Sequence, residues 1–297
     1  MNKKSNFCCW LCNSRCLFLV KKNNSKKVIS AASFKITDLD YGITLDIYKC
    51  KDCGFMQCPD SGNLVAYYRN MSDPQYEDSS DSRAIQSRNI IKLFNTKLKI
   101  KNKTLFDIGA GSGILILEAE KLGVIASGIE PSTSLAKIAN NKGADVYCGT
   151  LPLMNIKNKY DLITMIDVIE HVNNPIRLLK EASKIMHKKS IGILVTPDRS
   201  SFVAKLLGWK WWHYRVAHVG YFNNSNLHLA LKSAGLKIVS KTRPTWYFPL
   251  DYLFIRAMRY LPKSLRLTPP NFLKNCTIPL NLRDSTCVIF QRENNRS

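Results

Sequence analysis

The 297-residue sequence contains no run of about 18 apolar residues, the length a bilayer-spanning helix needs, which argues against a membrane-spanning chain. At the N-terminus Asn2-Lys3-Lys4 precede FCCWLCNSRCLFLV, but Asn13, Ser14 and Arg15 interrupt the apolar stretch and KKNNSKK follows at once. The segment reads as mature protein rather than a signal peptide, and the expected location is the cytoplasm. Acidic side chains are scarce: 22 Asp and Glu stand against 44 Lys and Arg, a formal net charge of +22. That balance favours an anionic partner such as nucleic acid, a phosphorylated substrate or an acidic membrane surface. Because Lys, Asn and Ile are abundant throughout, a general compositional bias that only solvates the surface is an equal reading. Histidine is rare, with five residues in all. Apolar material is not lacking: 45% of the chain is hydrophobic, enough for one large domain with a sizeable core plus an appendage.

Cysteine is unevenly spread, with seven of ten in the first 58 residues. The informative pairs are Cys9-Trp-Leu-Cys12 and Cys50-Lys-Asp-Cys53, the second followed by Gly54. A C-x-x-C turn points two thiolates at one ion, and two such knuckles complete a tetrahedral zinc site. The 37 residues between the pairs exceed the usual ribbon spacing of about 15 to 20, so a β-rich insert must fold between them; ITLDIYKC alternates as a strand would. Cys8, Cys16 and Cys58 are competing ligands. Disulfides are the other reading of these cysteines, although clustered x-x pairs in a cytoplasmic chain favour metal.

Three parts follow along the chain: a zinc-ribbon-like module over residues 1–60, a polar linker or lid over 61–82 carrying Tyr67, Tyr68 and Tyr76, and a large domain over 83–297. In the large domain apolar periodicity predicts helices at 82–98, 114–122, 175–186 and 224–234. Strands are expected at 104–108, 124–129, 144–148, 160–166, 191–196, 236–240 and 286–291. This alternation predicts an α/β fold, a doubly wound and mostly parallel seven-stranded sheet. Ligands in such sheets bind at the carboxyl ends of strands, near the reversal of strand order. The segment 242–284 fits no element of that pattern.

The first expected strand runs into FDIGAGSG, which places Gly109, Gly111 and Gly113 in the turn before a helix. Glycine there permits positive φ and close approach of a ligand to the backbone. The next strand ends in GIEPS, so Glu130 lies beside the first turn if the two strands pair in parallel, well placed for two ribose hydroxyls. The nicotinamide-type G-x-G-x-x-G is absent, since the turn reads G-x-G-x-G after Asp107, and a dinucleotide is the weaker reading. FDIGAGSG, GIEPS, YDLITMIDVIEHVNNP, ILVTPD and HVGYFNNSNLHLALKSAGLKIV together resemble class I S-adenosylmethionine-dependent methyltransferases, in the subgroup with an N-terminal zinc-binding cysteine module. The resemblance implies a Rossmann-like fold, S-adenosylmethionine as cofactor and structural zinc on Cys9, Cys12, Cys50 and Cys53. It implies cofactor contacts from Asp107, Gly109, Ala110, Gly111, Gly113, Glu130, Pro131, Thr150, Leu151 and Asp167. The CGTLPL stretch after the third strand lacks the acid often found there, so its adenine contacts are less defined.

Many members of that subgroup act on sugars, glycan intermediates or other hydroxylated small molecules, and O-methylation of such an acceptor is the expected activity. Transfer to oxygen needs alignment and a base. Two histidines are candidates: His218, in a loop expected to arch over the site, and His171, directly after the fourth expected strand. His187, His213 and His228 read as incidental. Segment 242–284 interleaves cations with Trp246, Tyr247, Phe248, Tyr252, Phe254, Tyr260 and Phe272, which suits the headgroup layer of an anionic membrane, single-stranded nucleic acid or an ordinary substrate cap. Two further functions stand beside the leading one. Charge and zinc favour an RNA methyltransferase, although MIDVIEHV stands where an N-P-P-Y-type ending is expected for base methylation; a non-catalytic binding protein on the same fold is the other.

Overall fold

The computed structural model describes residues 7–293 except 27, 38–40, 61, 63 and 153–157. The N-terminal part begins with β1 (Leu17–Lys21), β2 (Ile47–Cys50) and β3 (Met56–Gln57), followed by α1 (Leu64–Arg69) and α2 (Ser80–Asn95). Alternation of β4 (Thr104–Ile108), α3 (Ile114–Lys121), β5 (Ile125–Glu130), α4 (Thr133–Asn141), β6 (Val146–Cys148), β7 (Tyr160–Ile166), α5 (Pro175–Lys184) and β8 (Met186–Pro197) comes next. Then come α6 (Phe202–Leu207), β9 (Gly220–Tyr221), α7 (Asn224–Ser233), β10 (Leu236–Thr242), β11 (Trp246–Pro249), α8 (Leu250–Met258), β12 (Thr277–Leu280) and β13 (Ser285–Arg292).

Seven strands form one sheet in the order β10-β13-β8-β7-β4-β5-β6. Its five strands from β8 to β6 are parallel, and β13 is inserted antiparallel beside β8. The expected doubly wound sheet is present. Chain order reverses at β4, which has β5 on one side and β7 on the other. Alternate residues of each strand feed opposite faces, as the two-residue period demands. Phe106, Ile108, Ile163, Met165, Leu194, Val288 and Phe290 pack on one side with Leu179 of α5 and Leu227 and Leu231 of α7. Leu105, Leu162, Ile193, Val195, Cys287 and Ile289 pack on the other with Ile91 and Phe94 of α2 and Ile116 of α3.

The elements begin and end where local chemistry dictates. In α5, Asn174 Oδ1 accepts from Arg177 N at 2.9 Å and Pro175 opens the first turn, a side-chain cap followed by a residue with no amide to satisfy. The periodicity argument left α4 and β1 unassigned. In α4 the signal was short but present, for Ser132 caps Leu135 N and Leu135, Ala136 and Ala139 face the core.

Residues 61–82, expected as a linker or lid, contain α1, a 3-10 turn at Pro74–Ser79 and the start of α2. They are tied down: Asp73 accepts from Thr37 N at 2.9 Å and from Thr37 Oγ1 at 2.6 Å, and Ser132 Oγ donates to the Met71 carbonyl at 2.9 Å. The N-terminal strands do not stand alone. Strands β1, β2, β3 and β9 make one antiparallel sheet, so the loop after β8 returns to pair with β3. Phe34, Ile47 and Met56 share a core with Trp211, Tyr214, Val219 and Tyr221. The segment 242–284 supplies a β11–β12 ribbon, with Trp246 opposite Leu280 and Phe248 opposite Ile278, and α8 between its strands.

Candidate active site

A cavity of about 1050 Å³ opens at the carboxyl ends of the parallel strands. It is roomy enough for a cofactor and an acceptor together, ligand pockets commonly spanning about 300 to 1,000 Å³. One end is built by the glycine turn. Gly109, Gly111 and Gly113 all have positive φ, and the turn is closed from two directions. A Cβ on Gly111 would stand 2.6 Å from the Tyr76 hydroxyl oxygen, and one on Gly113 would stand 2.6 Å from Ala144 Cβ. Glu130, buried at the end of β5, accepts from Gly111 N at 2.9 Å and from Ser132 N at 2.8 Å. It therefore braces the turn while also lining the cavity. Burial pushes its pKa up from the usual carboxylate range, and the two amide bonds oppose that rise. Asp107 accepts from Thr164 Oγ1 at 2.6 Å and is pushed up to about 7, chiefly by burial. Ala110, Pro131, Gly149, Thr150 and Leu151 line the same end.

Glu130→Ala is expected to weaken binding of S-adenosylhomocysteine about tenfold or more while the sheet stays folded. Each charge-assisted bond to ribose is worth about 1.5 to 3 kcal/mol, and about 1.4 kcal/mol is a decade of affinity. Calorimetry showing unchanged affinity would remove Glu130 from the cofactor site.

The other end gathers carboxylates and imidazoles from four places in the chain. Asp167, directly after β7, holds a left-handed φ of 53°, an uncommon conformation that marks a constrained position. It is surrounded by protein yet open to the cavity, and burial pushes it up to about 6 while His213 and Arg83 pull it down. Glu170 is buried, with Oε2 accepting from Thr196 Oγ1 at 2.9 Å. Its protonated form is favoured by burial and by the charge of Asp167. His171 Nδ1 donates to the Ala217 carbonyl at 2.8 Å, with the Tyr68 hydroxyl against the same nitrogen. Burial pushes His171 down to about 3 and His218 well below the usual imidazole range, so both are held neutral. The His171 and His218 rings meet edge to face at 4.6 Å, and His213 stacks on His218 at 5.5 Å.

His213 is thus part of the cavity wall, which its sequence context had not indicated. Its Nε2 lies 3.6 Å from Asp284 Oδ2, which also accepts from Trp211 Nε1 at 3.2 Å. Asp284 sits immediately before β13. Because β13 is antiparallel, with Ser285 opposite Pro197, its beginning lies at the edge where the parallel strands end. That topological fact brings Asp284 to the site, and no local motif announces it.

Among the described residues, two clusters have metal-ligating chemistry. Cys9, Cys12, Cys50 and Cys53 bring their sulfurs within 4.8 Å of one another, and the Cys9–Cys53 and Cys12–Cys50 separations are 3.5 Å. Tetrahedral zinc with bonds of about 2.3 Å requires sulfurs about 3.8 Å apart, so the four fit such an ion. Each knuckle closes on a left-handed residue, Asn13 at φ 60° and Gly54 at φ 70°. The Cys9 thiol is pulled down to about 5 by its hydrogen bond with Cys53, whose own thiol is pushed up by the same bond. Within the cavity, Glu170, His171 and His218 also bring one donor atom each within 4.8 Å of the others, a set that could hold a divalent cation.

A protein family described as "Methyltransferase domain" matches residues 81–241, just over half of the chain. The chain belongs to that family. A curated relative, the ubiquinone biosynthesis O-methyltransferase of Pelagibacter ubique, is 30% identical over 131 residues, which is 40% of this chain and 55% of the relative. The protein of the same name from Coxiella burnetii is 26% identical over 103 residues, 32% of this chain and 44% of that one. The chain thus spans about half the length of the curated relatives it matches. A chain of the structure described as "Complex between the Haloferax volcanii Trm112 methyltransferase activator and the putative methyltransferase" superimposes with a TM-score of 0.51 at 12% identity, over 78% of this chain and 98% of that one. It shows the same fold. The family match and the glycine-turn geometry agree with the resemblance to class I S-adenosylmethionine-dependent methyltransferases.

Proposed function

We propose that this methyltransferase transfers the methyl group of S-adenosylmethionine to a hydroxyl of a small molecule, a sugar or glycan precursor carried on a lipid. The observation that carries the proposal is the extent of the cavity. Beyond the glycine turn it continues into a chamber with a polar floor, Asp167, His171, His213 and His218, and a wall of Trp246, Phe248, Tyr252, Leu253 and Tyr260. Such a chamber suits an acceptor with a polar reacting end and an apolar body. Support for transfer to oxygen comes also from the names of the curated relatives.

The protein's own work is alignment and proton removal. His218, the base expected from sequence, is 5% exposed, and burial opposes its becoming a cation. His213 exposes 22% of its side chain and has the buried Asp284 carboxylate behind it, so we assign the proton to His213, with His171 and His218 shaping the acceptor pocket. Structural zinc on Cys9, Cys12, Cys50 and Cys53 completes the proposal.

Labelled S-adenosylmethionine offered to fractionated small-molecule, lipid-linked glycan and RNA pools is expected to label a hydroxylated small molecule, most strongly in the lipid-linked fraction. Label confined to RNA would replace this proposal with an RNA methyltransferase, and no transfer to any pool would favour a binding role.

A further inference from the structure

We propose that the chain docks on an anionic lipid bilayer through an apolar and basic rim formed by α6 and residues 250–283 around the mouth of the cavity. The first observation is the orientation of α6. Phe202 and Leu206 lie one turn apart on one face and are 78% and 72% exposed, whereas Ala204 is buried and Leu207 lines the cavity. Trp209, directly after the helix, is also exposed. Large apolar side chains on a monomer's surface are ordinary singly, but a contiguous cluster marks an interaction face.

The second half of the rim comes from the segment after α8. Leu265, Leu267 and Phe272 are exposed, the last two at 70% and 71%. The halves meet at the cavity mouth: the Tyr260 hydroxyl donates to the Lys210 carbonyl at 3.1 Å, and Leu207 and Trp212 line the opening together with Ala257 and Tyr260. Among the described residues, Ile255, Leu261 and Leu282 are further exposed apolar side chains within 250–283, whereas Leu19, Val28, Val65, Ile125, Tyr147 and Val239 lie elsewhere in the chain.

Charge selects the occupant. From residue 199 to 283 the sequence has a single acid, Asp251, while Lys205, Lys210, Arg259 and Arg283 are exposed. Apolar side chains interspersed with cations complement the acyl boundary and anionic headgroups of a membrane. No helix among the described residues is long and apolar enough to cross one, so the rim lies on the surface. Docked this way, the mouth faces the lipid, and an acceptor held on a lipid reaches the cavity without leaving the bilayer. That consequence rests on the proposed lipid-linked acceptor, whereas docking itself is read by vesicle binding alone.

The full chain is tested by flotation at physiological ionic strength with vesicles of equal parts phosphatidylcholine and phosphatidylglycerol, and with vesicles of phosphatidylcholine alone. Binding to the mixed vesicles and much weaker binding to the neutral ones is expected. The double variants Phe202→Ser with Leu206→Ser, and Leu267→Ser with Phe272→Ser, should each weaken that binding about tenfold or more. Both keep the net charge, and their affinity for S-adenosylhomocysteine should match the wild type, which separates a docking failure from a failure of the enzyme. Absence of binding to mixed vesicles would overturn the proposal. So would serine variants that bind like wild type, because the basic surface at large would then suffice. A short single-stranded RNA bound more tightly than the vesicles, and lost in the same variants, would make the rim a nucleic-acid face instead.

Discussion

His213→Ala is expected to lower turnover about a hundredfold to ten-thousandfold, the usual loss on removing a general base, while affinity for S-adenosylhomocysteine stays within a few-fold. S-adenosylmethionine, when bound, would supply a sulfonium methyl whose transfer to the acceptor oxygen leaves a neutral thioether. In the proposed role the hydroxyl proton would pass to the imidazole, and Asp284, 3.6 Å from Nε2, would offset the new positive charge. Asp284→Asn should therefore lower turnover with little change in the acceptor KM, since it acts through His213. Added imidazole should restore part of the rate in His213→Ala, which repair of a merely structural defect would not do. The comparison is His218→Ala, assayed with the acceptor that the labelling experiment identifies. If His218→Ala is inactive while His213→Ala works within a few-fold of wild type, the proton goes to His218. If both retain activity, alignment alone carries the reaction.

The cofactor half of the site was legible because it is local. Asp107, the three glycines and Glu130 sit at the ends of two consecutive parallel strands, so period and turn chemistry suffice to bring them together. The C-x-x-C pairs were legible for the same reason, each knuckle being one turn. The acceptor half is assembled across the fold. Asp284 arrives on an antiparallel strand whose beginning lies at the site edge, and His213 lies in the loop that afterwards pairs β9 with β3. Neither placement has a short-range signature. The N-terminal boundary at residue 60 was drawn from composition, yet Gln57 and Met56 pair with Gly220 and Tyr221, a contact across more than half the sequence. Helical spacing places Phe202 and Leu206 on one face of α6, but the fold alone decides which way that face turns.

Cys50→Ser is expected to remove bound metal and to unfold the N-terminal sheet. Cys50 is fully buried and pairs with Leu17 across the β1–β2 ladder, so serine would leave an unpaired ligand position inside a small core. Structural zinc supplies apparent binding energy of about 10 to 16 kcal/mol, more than a sheet of four short strands can replace. The loss should spread. Asn226 Nδ2 donates to the Cys53 carbonyl at 2.8 Å and Arg199 Nη2 to the Gly54 carbonyl at 2.6 Å, so the second knuckle is fastened to α7 and to the turn after β8. Phe34, Ile36 and Tyr41 from the same region line the cavity beside Arg215 and Arg256. Loss of the zinc should therefore loosen the acceptor end while the glycine turn and Glu130, built within the large sheet, still bind S-adenosylhomocysteine. Native mass spectrometry under reducing conditions should show one zinc per wild-type chain and none in Cys50→Ser. Limited proteolysis should cut the variant within its first 60 residues and spare the wild type. A metal-free wild-type chain that resists proteolysis, or one holding a disulfide between Cys9 and Cys50, would overturn the zinc assignment.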